Sequence, residues 1–141
     1  MRSGSEYFLQ PQSRQVIAFA DYWQHATGAD PGLLVCDSRL ATYTVLDELT
    51  ARGIRWLALR QCGRSELARL VALPPSAWKR ARIERAGRYR NPRLHEDMTT
   101  LKGISDKVRE IAIRGIGRDE PTLLITNDVS TPAKTLFARY A

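Results

Sequence analysis

One aspartate stands at the end of an apolar run, a position from which it could bind a metal. Asp37 follows "LLVC" and precedes Ser38 and Arg39. In open α/β sheets, ligands and catalytic groups gather beyond the carboxyl ends of the strands, and a carboxylate placed there can bind Mg²⁺ through oxygen. Asp and Ser also satisfy loop amides ahead of a helix. Asp37 is therefore either a metal ligand or a turn residue, and its own spacing leaves both readings open.

Two-cation chemistry needs several converging carboxylates, so a catalytic Asp37 requires partners. Asp21 lies on a predicted helix, and Asp128 ends the apolar run "LLITND". Asp128 lies near Asp37 if the two strands are neighbours, although it also suits a turn. Asp47 and Glu48 are expected on a solvated helix face. The sequence has no phosphate-cradling glycine loop and no Ser, His and Asp set typical of a nucleophile.

Basic residues crowd the segment from Lys79 to Arg93. Seven of them face one acid, Glu84, which gives a local charge of seven minus one, or +6. They are Lys79, Arg80, Arg82, Arg85, Arg88, Arg90 and Arg93. The planar guanidinium of arginine suits phosphate oxygens, so the segment is either a nucleic-acid contact or a solvated face. Trp56 and Trp78 are candidates for base stacking or for the core.

Composition narrows the class of protein. The 141 residues, 43% hydrophobic and 26% charged, are enough for one domain with a real core. The net charge of +7 favours a polyanionic partner. The sequence has neither a membrane-length apolar run nor the apolar centre of a signal peptide. Cys36, Cys62, His25 and His95 lack metal-type spacing. We therefore expect a reduced, cytoplasmic protein with no membrane partner and no zinc site.

Hydrophobic periodicity predicts the elements that must position these residues. Helices are expected at 14–26 and 42–52, from Ser65 to the Pro74-Pro75 pair, and from Thr131 onward. Strands are expected at 33–36, 54–60, 108–116 and 121–126. A hairpin is expected to turn near Gly87. Residues 33–60 then form a strand–helix–strand unit with a parallel pair. The runs "LLVC" and "TLLIT" predict that strand 33–36 lies in the middle of a mixed sheet, between strands 54–60 and 121–126.

The segment "LLVCDSRLATYTVLDELTARGIRWLALR" resembles the central block of DDE transposases from bacterial insertion sequences, the cut-and-paste group with a ribonuclease-H-like catalytic domain. The matching positions are Asp37, Leu46, Leu49, Gly53 and Ile54. "LPPSAWKRARIERAGRYRNPRL" resembles the β-rich insertion of these enzymes. "DEPTLLITNDVSTPAKTLFARYA" resembles the strand and helix that approach their last acidic residue. The order of these parts is specific to the group.

The resemblance implies an α/β, ribonuclease-H-like mixed sheet with flanking helices across residues 1–141 and a basic β-rich insertion at about 76–107, incomplete at both ends. Asp37 corresponds to the middle of three metal-binding carboxylates, and it would bridge two Mg²⁺ ions during DNA cleavage and strand transfer. The first Asp would lie upstream of the helix that precedes Asp37. The late Glu belongs to a Tyr, Arg and Glu signature of which only Tyr140 is matched. We therefore expect a transposase fragment that is inactive alone.

Two other functions remain open from the sequence. One is a small basic nucleic-acid-binding protein without catalysis, in which Asp37 is structural. The other is a nuclease whose metal site combines Asp37 with Asp128. An incomplete domain is also expected to expose apolar surface and to self-associate as a homo-oligomer. The residues expected in that exposed surface are Val16, Phe19, Trp23, Leu136 and Phe137.

Overall fold

Six strands of the described chain form one mixed sheet. The computed structural model describes residues 17–19, 21–28, 32–36, 42–81, 92–117 and 120–140. The strands are β1 (Leu34–Cys36), β2 (Trp56–Arg60), β3 (Lys79–Arg80), β4 (Arg93–Thr99), β5 (Val108–Arg114) and β6 (Thr122–Thr126). They lie side by side in the order β1-β2-β6-β5-β4-β3. β1 and β2 are parallel, and every other neighbouring pair is antiparallel.

Helices precede, connect and follow these strands. The helical residues 17–19 and 21–27 form α1, and the others are α2 (Tyr43–Ala51), α3 (Arg64–Val71) and α4 (Ala133–Tyr140), with a short 3-10 helix at Pro75–Ala77. Local chemistry sets the ends of α2. The Thr42 hydroxyl accepts a hydrogen bond from the Val45 amide at 3.3 Å, which caps the first turn. Gly53 then adopts a φ of 78°, a left-handed conformation that ends the helix at little steric cost.

The helices cover both faces of the sheet. Leu46 and Leu49 of α2 pack in one cluster with Trp56 and Ala58 of β2. Leu57, the residue between those two, belongs instead to the cluster that contains Leu136 and Phe137 of α4. Because successive side chains of a strand point to opposite faces, α2 and α4 lie on opposite sides of β2. The central strands are buried on both faces: every residue of β6 is buried.

The predicted α/β fold with a mixed sheet and flanking helices is confirmed. The strand–helix–strand unit is present as β1, α2 and β2, and the register of its parallel pair joins Leu34 to Trp56 and Cys36 to Ala58. Predicted helices and strands at α1, α2, α3, β5, β6 and α4 also match within a few residues. The predicted turn of a hairpin near Gly87 lies outside the described residues, although β3 and β4 on either side of it pair antiparallel.

The predicted central position of strand 33–36 is wrong. β2 lies between β1 and β6, so within the described sheet β1 is the outermost strand. Val35 is accordingly 47% exposed. An apolar run indicates burial but does not specify which strand pairs with which. Here β6 pairs with β5 on one side and with β2 on the other. Because β6 occupies the second side of β2, β1 has a single described neighbour.

The prediction of exposed apolar residues is correct at one end of the chain and wrong at the other. Phe19 is 44% exposed and Trp23 is 41% exposed on α1. Leu136 and Phe137 are fully buried instead, because α4 packs on the sheet against Ile111 and Leu124. Val16 lies outside the described residues.

Candidate nucleic-acid interface

Strand register brings three arginines into one line across the sheet. In β3 and β4, Arg80 lies opposite Arg93, and in β4 and β5, Arg93 lies opposite Arg114. Directly opposed residues of an antiparallel pair point to the same face. All three side chains are exposed. We call Arg80, Arg93 and Arg114 the arginine row.

The row concentrates positive charge that no described acidic residue pairs with. Within the described chain, none of its three arginines forms an ion pair, whereas Arg52, Arg55, Arg60, Arg69 and Arg109 all do. Like charges directly opposed across strands are destabilising. Three Cα atoms on adjacent strands span roughly 10 Å, given the usual strand spacing. The row is therefore a compact, unneutralised surface that suits a ligand with several negative charges.

Trp78 supports one end of the row. The Arg114 guanidinium lies over the Trp78 ring, 4.9 Å from its centroid, a geometry that favours cation–π attraction. Trp78 itself is 7% exposed and packs against the His95 ring at 5.7 Å. The Trp78 ring is thus in contact with both Arg114 and His95. Arg114 is held over a rigid aromatic surface, which reduces the conformational entropy it would lose on binding an anion.

The aromatic residues considered for base stacking are core residues. Trp56 is fully buried on β2, and its indole N–H donates to the Thr50 hydroxyl at 3.0 Å. Trp78 is covered by Arg114 and His95. Neither ring offers a face to a nucleic-acid base. The interface consists of cations rather than stacking platforms.

The structure places three of the seven predicted basic residues. Lys79, Arg80 and Arg93 are exposed residues of β3 and β4. Arg82, Arg85, Arg88 and Arg90 lie outside the described residues. Arg114 was not predicted, because it follows Arg93 by 21 positions and joins it only through the register of β4 and β5. The one sequence signal is that Arg114 ends an otherwise apolar strand segment, "IAIR".

Asp37 lies outside the described residues, so only its surroundings in the fold are known. Cys36, the residue before it, is buried and lies opposite Ala58. Ala58 in turn pairs with Ile125, and Ile125 pairs with Glu110. Glu110 is therefore three strands from Cys36, roughly 14 Å away at the usual strand spacing. Glu110 is held by Arg60 and Arg69 at 2.5 and 2.6 Å. This described carboxylate near the same end of the sheet is therefore committed to arginines.

Asp128 does not lie at the sheet end that β1 points to. β6 runs antiparallel to β2, so Asp128, just beyond β6, lies where β2 begins and bonds Arg55 at 2.9 Å. Cys36, the last residue of β1, pairs with Ala58. Ala58 is three residues beyond Arg55 along β2, a distance of roughly 10 Å. The described end of β1 and Asp128 are thus separated along β2, and Asp37 itself lies outside the described residues. Asp21 is also engaged, in an exposed ion pair with Arg52.

The Asp128 carboxyl is a structural group. It is 2% exposed and accepts hydrogen bonds from the amides of Ser130 and Thr131 at 3.0 and 3.1 Å and from their hydroxyls at 3.1 and 2.6 Å. Burial alone raises its pKa, but the bonds from Thr131 and Ser130 outweigh burial and hold the pKa well below its usual range. Asp128 thus closes the turn from β6 to α4.

The described residues do not assemble a metal centre. No group of three or more His, Cys, Asp or Glu side chains able to hold a metal occurs among them. Those carboxylates therefore do not fit a two-Mg²⁺ site by themselves. None of the described helices is both long and apolar enough to cross a membrane.

Comparison with known proteins does not identify the chain. No protein-family model matches it, and no curated protein matches it significantly.

Proposed function

We propose that this chain binds DNA through the arginine row as part of a DDE transposase catalytic domain. The observation that carries the proposal is the alignment of Arg80, Arg93 and Arg114, exposed and without an acidic partner in the described chain. Phosphate oxygens are the ligands that guanidinium groups bind best, often with two parallel hydrogen bonds. The row contacts phosphates, so it supplies affinity with little sequence selectivity.

Charge distribution along β4 favours a binding surface over a merely solvated face. The strand begins with Arg93 in the row and reaches Glu96 and Asp97 toward its other end. Glu96 is neutralised by Arg109 at 2.5 Å. A solvated face gains solubility from mixed signs, whereas along β4 the positive and the negative side chains lie at opposite ends of the strand. A polyanion gains most from such segregation.

Support for the transposase assignment comes from the unit that carries the resemblance. The matched positions Leu46, Leu49 and Ile54 are buried, and Gly53 has the φ of 78° that this helix end requires. The mixed sheet with helices on both faces is compatible with a ribonuclease-H-like domain. Asp37 would then be the carboxylate that follows β1 and one ligand of Mg²⁺, the ion that supplies Lewis-acid activation of phosphodiester chemistry in such enzymes. Its partner carboxylates are not among the described residues.

A small nucleic-acid-binding protein without catalysis is the second candidate. The row contains no residue of the predicted metal site, so it functions equally well without Asp37. Replacing Asp37 by Asn separates the candidates when the variant is compared with the wild type in the fully assembled transposition reaction. In the transposase, strand cleavage depends on Asp37 while DNA affinity does not. In the binding protein, Asp37→Asn changes neither.

The DNA-binding assignment is tested by charge-matched variants. We expect Arg93→Ala/Arg114→Ala to weaken duplex DNA binding at least about tenfold, because the variant lacks two guanidinium groups that donate charge-assisted hydrogen bonds to phosphate. The control is Lys102→Ala/Lys107→Ala, which removes the same charge from exposed positions between β4 and β5, at the other end of the sheet. Fluorescence anisotropy with a labelled duplex measures both. Equal affinities for the two variants would show that net charge, and not the row, binds DNA.

A further inference from the structure

A cavity lies beside β3, between β4 and the start of α4. Its volume is about 400 Å³. Three basic residues line it: Lys79 and Arg80 of β3 and Lys134 of α4. Ligand cavities commonly measure about 300 to 1,000 Å³, so this one is large enough for a phosphate group with its sugar.

The described basic residues that line the cavity have no acidic partner among the described residues. Lys79, Arg80 and Lys134 are exposed, and none of them forms an ion pair with another described residue. Glu96 is the acidic residue of the lining. Its carboxylate is already taken by Arg109, which bonds it through two nitrogens at 2.5 and 2.7 Å. Lys79 and Lys134 therefore face the cavity against one carboxylate that Arg109 neutralises, whereas the side chain of Arg80 lies on the other face of β3.

The walls of the cavity combine apolar and polar groups. Ala81, Leu94 and Ala133 supply apolar surface next to the cations. Ala133 and Lys134 are also the first two residues of α4, and amides in the first turn of a helix have no acceptor within that helix. They add donors for an oxyanion to those of the two lysines. An anion attached to an apolar group fits such a lining better than a free metal or a neutral ligand.

We propose that this cavity binds a backbone phosphate of DNA together with the adjoining sugar. Lys79 and Lys134 contact the phosphate, and the apolar wall contacts the sugar. The proposal that this phosphate belongs to DNA depends on the proposed function. The proposal that the cavity binds phosphate does not. Lys79 lies opposite Leu94, on the face away from the arginine row, while Arg80 belongs to the row and also lines the cavity. A DNA strand that contacts both sites therefore crosses β3.

The probe is inorganic phosphate, followed through the backbone amide signals of the full chain by NMR, with sodium chloride at equal ionic strength as the reference. We expect saturable phosphate-specific shifts at Ala133 and Lys134. Lys79→Ala/Lys134→Ala should weaken phosphate binding about tenfold or more, since two charged donors are removed. Lys102→Ala/Lys107→Ala, the charge-matched control, should bind phosphate as the wild type does.

A second variant keeps the test independent of folding. Lys134→Glu places an acid in the first turn of α4, a position that favours negative charge, so the helix is retained while the cavity's charge is reduced by two units. Saturable shifts should disappear in this variant. Identical shifts with phosphate and chloride, or wild-type phosphate affinity in Lys134→Glu, would overturn the proposed site.

Duplex DNA separates this proposal from the proposed function. If phosphate saturates the cavity but Arg93→Ala/Arg114→Ala leaves DNA binding unchanged, the cavity is a phosphate site and the arginine row is not the DNA contact. If that double variant loses DNA affinity while phosphate fails to saturate the cavity, the row stands and the cavity proposal fails.

Discussion

Asp128 shows how an acidic residue that follows an apolar strand can be structural. A turn and a metal site were the sequence-based alternatives for it. Strand polarity and four hydrogen bonds decide for the turn. Arg109 reinforces the same turn by donating to the carbonyls of Asp128 and Thr131 at 3.1 and 2.6 Å. The turn residues themselves were predictable from sequence, but the direction of β6 relative to β1 was not.

We expect Asp128→Asn to destabilise the fold by about 1 to 3 kcal/mol at neutral pH, because an amide cannot replace every acceptor of the carboxylate. The pKa of Asp128 is lower in the folded chain than in the unfolded one, so its contribution is complete above its ordinary pKa of 3.8 and diminishes as the pH falls toward the folded value. Urea unfolding between about pH 7 and pH 2.5 should therefore show the difference between wild type and variant shrinking in acid. A difference that is constant or grows in acid would contradict this role.

The arginine row makes opposite stability predictions for its middle and its end. Arg93 has a like charge on each side, so Arg93→Ala should leave the fold equally stable or more stable by about 0.2 to 1 kcal/mol. Arg114 also lies over Trp78, so Arg114→Ala should lose about 0.5 to 1 kcal/mol of cation–π attraction. Thermal unfolding at low salt measures both. A larger loss in Arg93→Ala than in Arg114→Ala would show that the register does not create repulsion.

Glu110 joins α3 to the sheet. It is 2% exposed on β5, and its two oxygens bind Arg60 of β2 and Arg69 of α3. We expect Glu110→Ala to cost about 1.5 to 3 kcal/mol, because charge-assisted hydrogen bonds to Arg60 and Arg69 are lost while both arginines stay partly exposed to water. Asp106→Ala, on an exposed loop, should change stability by less than about 0.5 kcal/mol. Urea denaturation that gives the two variants similar stabilities would refute the structural role of Glu110.

The positions of the helices and strands in this chain follow from the local sequence pattern. Which strands pair with one another does not. Thr42 and Gly53 mark the ends of α2 in the sequence as they do in the structure. The outermost position of β1 and the alignment of Arg93 with Arg114 depend on how separate segments pair. Pairing is set by the summed burial of both sheet faces, which no single segment encodes. The resemblance to transposases implied a fold class but not this register.

Exposed aromatic residues on α1 predict self-association. Phe19 and Trp23 lie 5.9 Å apart, ring centre to ring centre, and Tyr22 beside them is 69% exposed. We expect the chain to form oligomers as its concentration rises, because association removes this apolar surface from water. Phe19→Ser/Trp23→Ser should shift light-scattering mass toward the monomer. Unchanged oligomerisation in that variant would assign association to another surface.

The net charge of +7 predicts a polyanionic partner for the molecule as a whole, but only the fold shows where that partner can be bound. The salt dependence of duplex DNA binding tests whether the arginine row is that place. Wild-type affinity should fall linearly on a log–log plot against salt, and Arg93→Ala/Arg114→Ala should reduce the slope by about two units, close to one for each phosphate that the variant no longer neutralises. Lys102→Ala/Lys107→Ala should retain the wild-type slope. A slope that is unchanged in the row variant, or reduced equally in both variants, would contradict DNA binding by the arginine row.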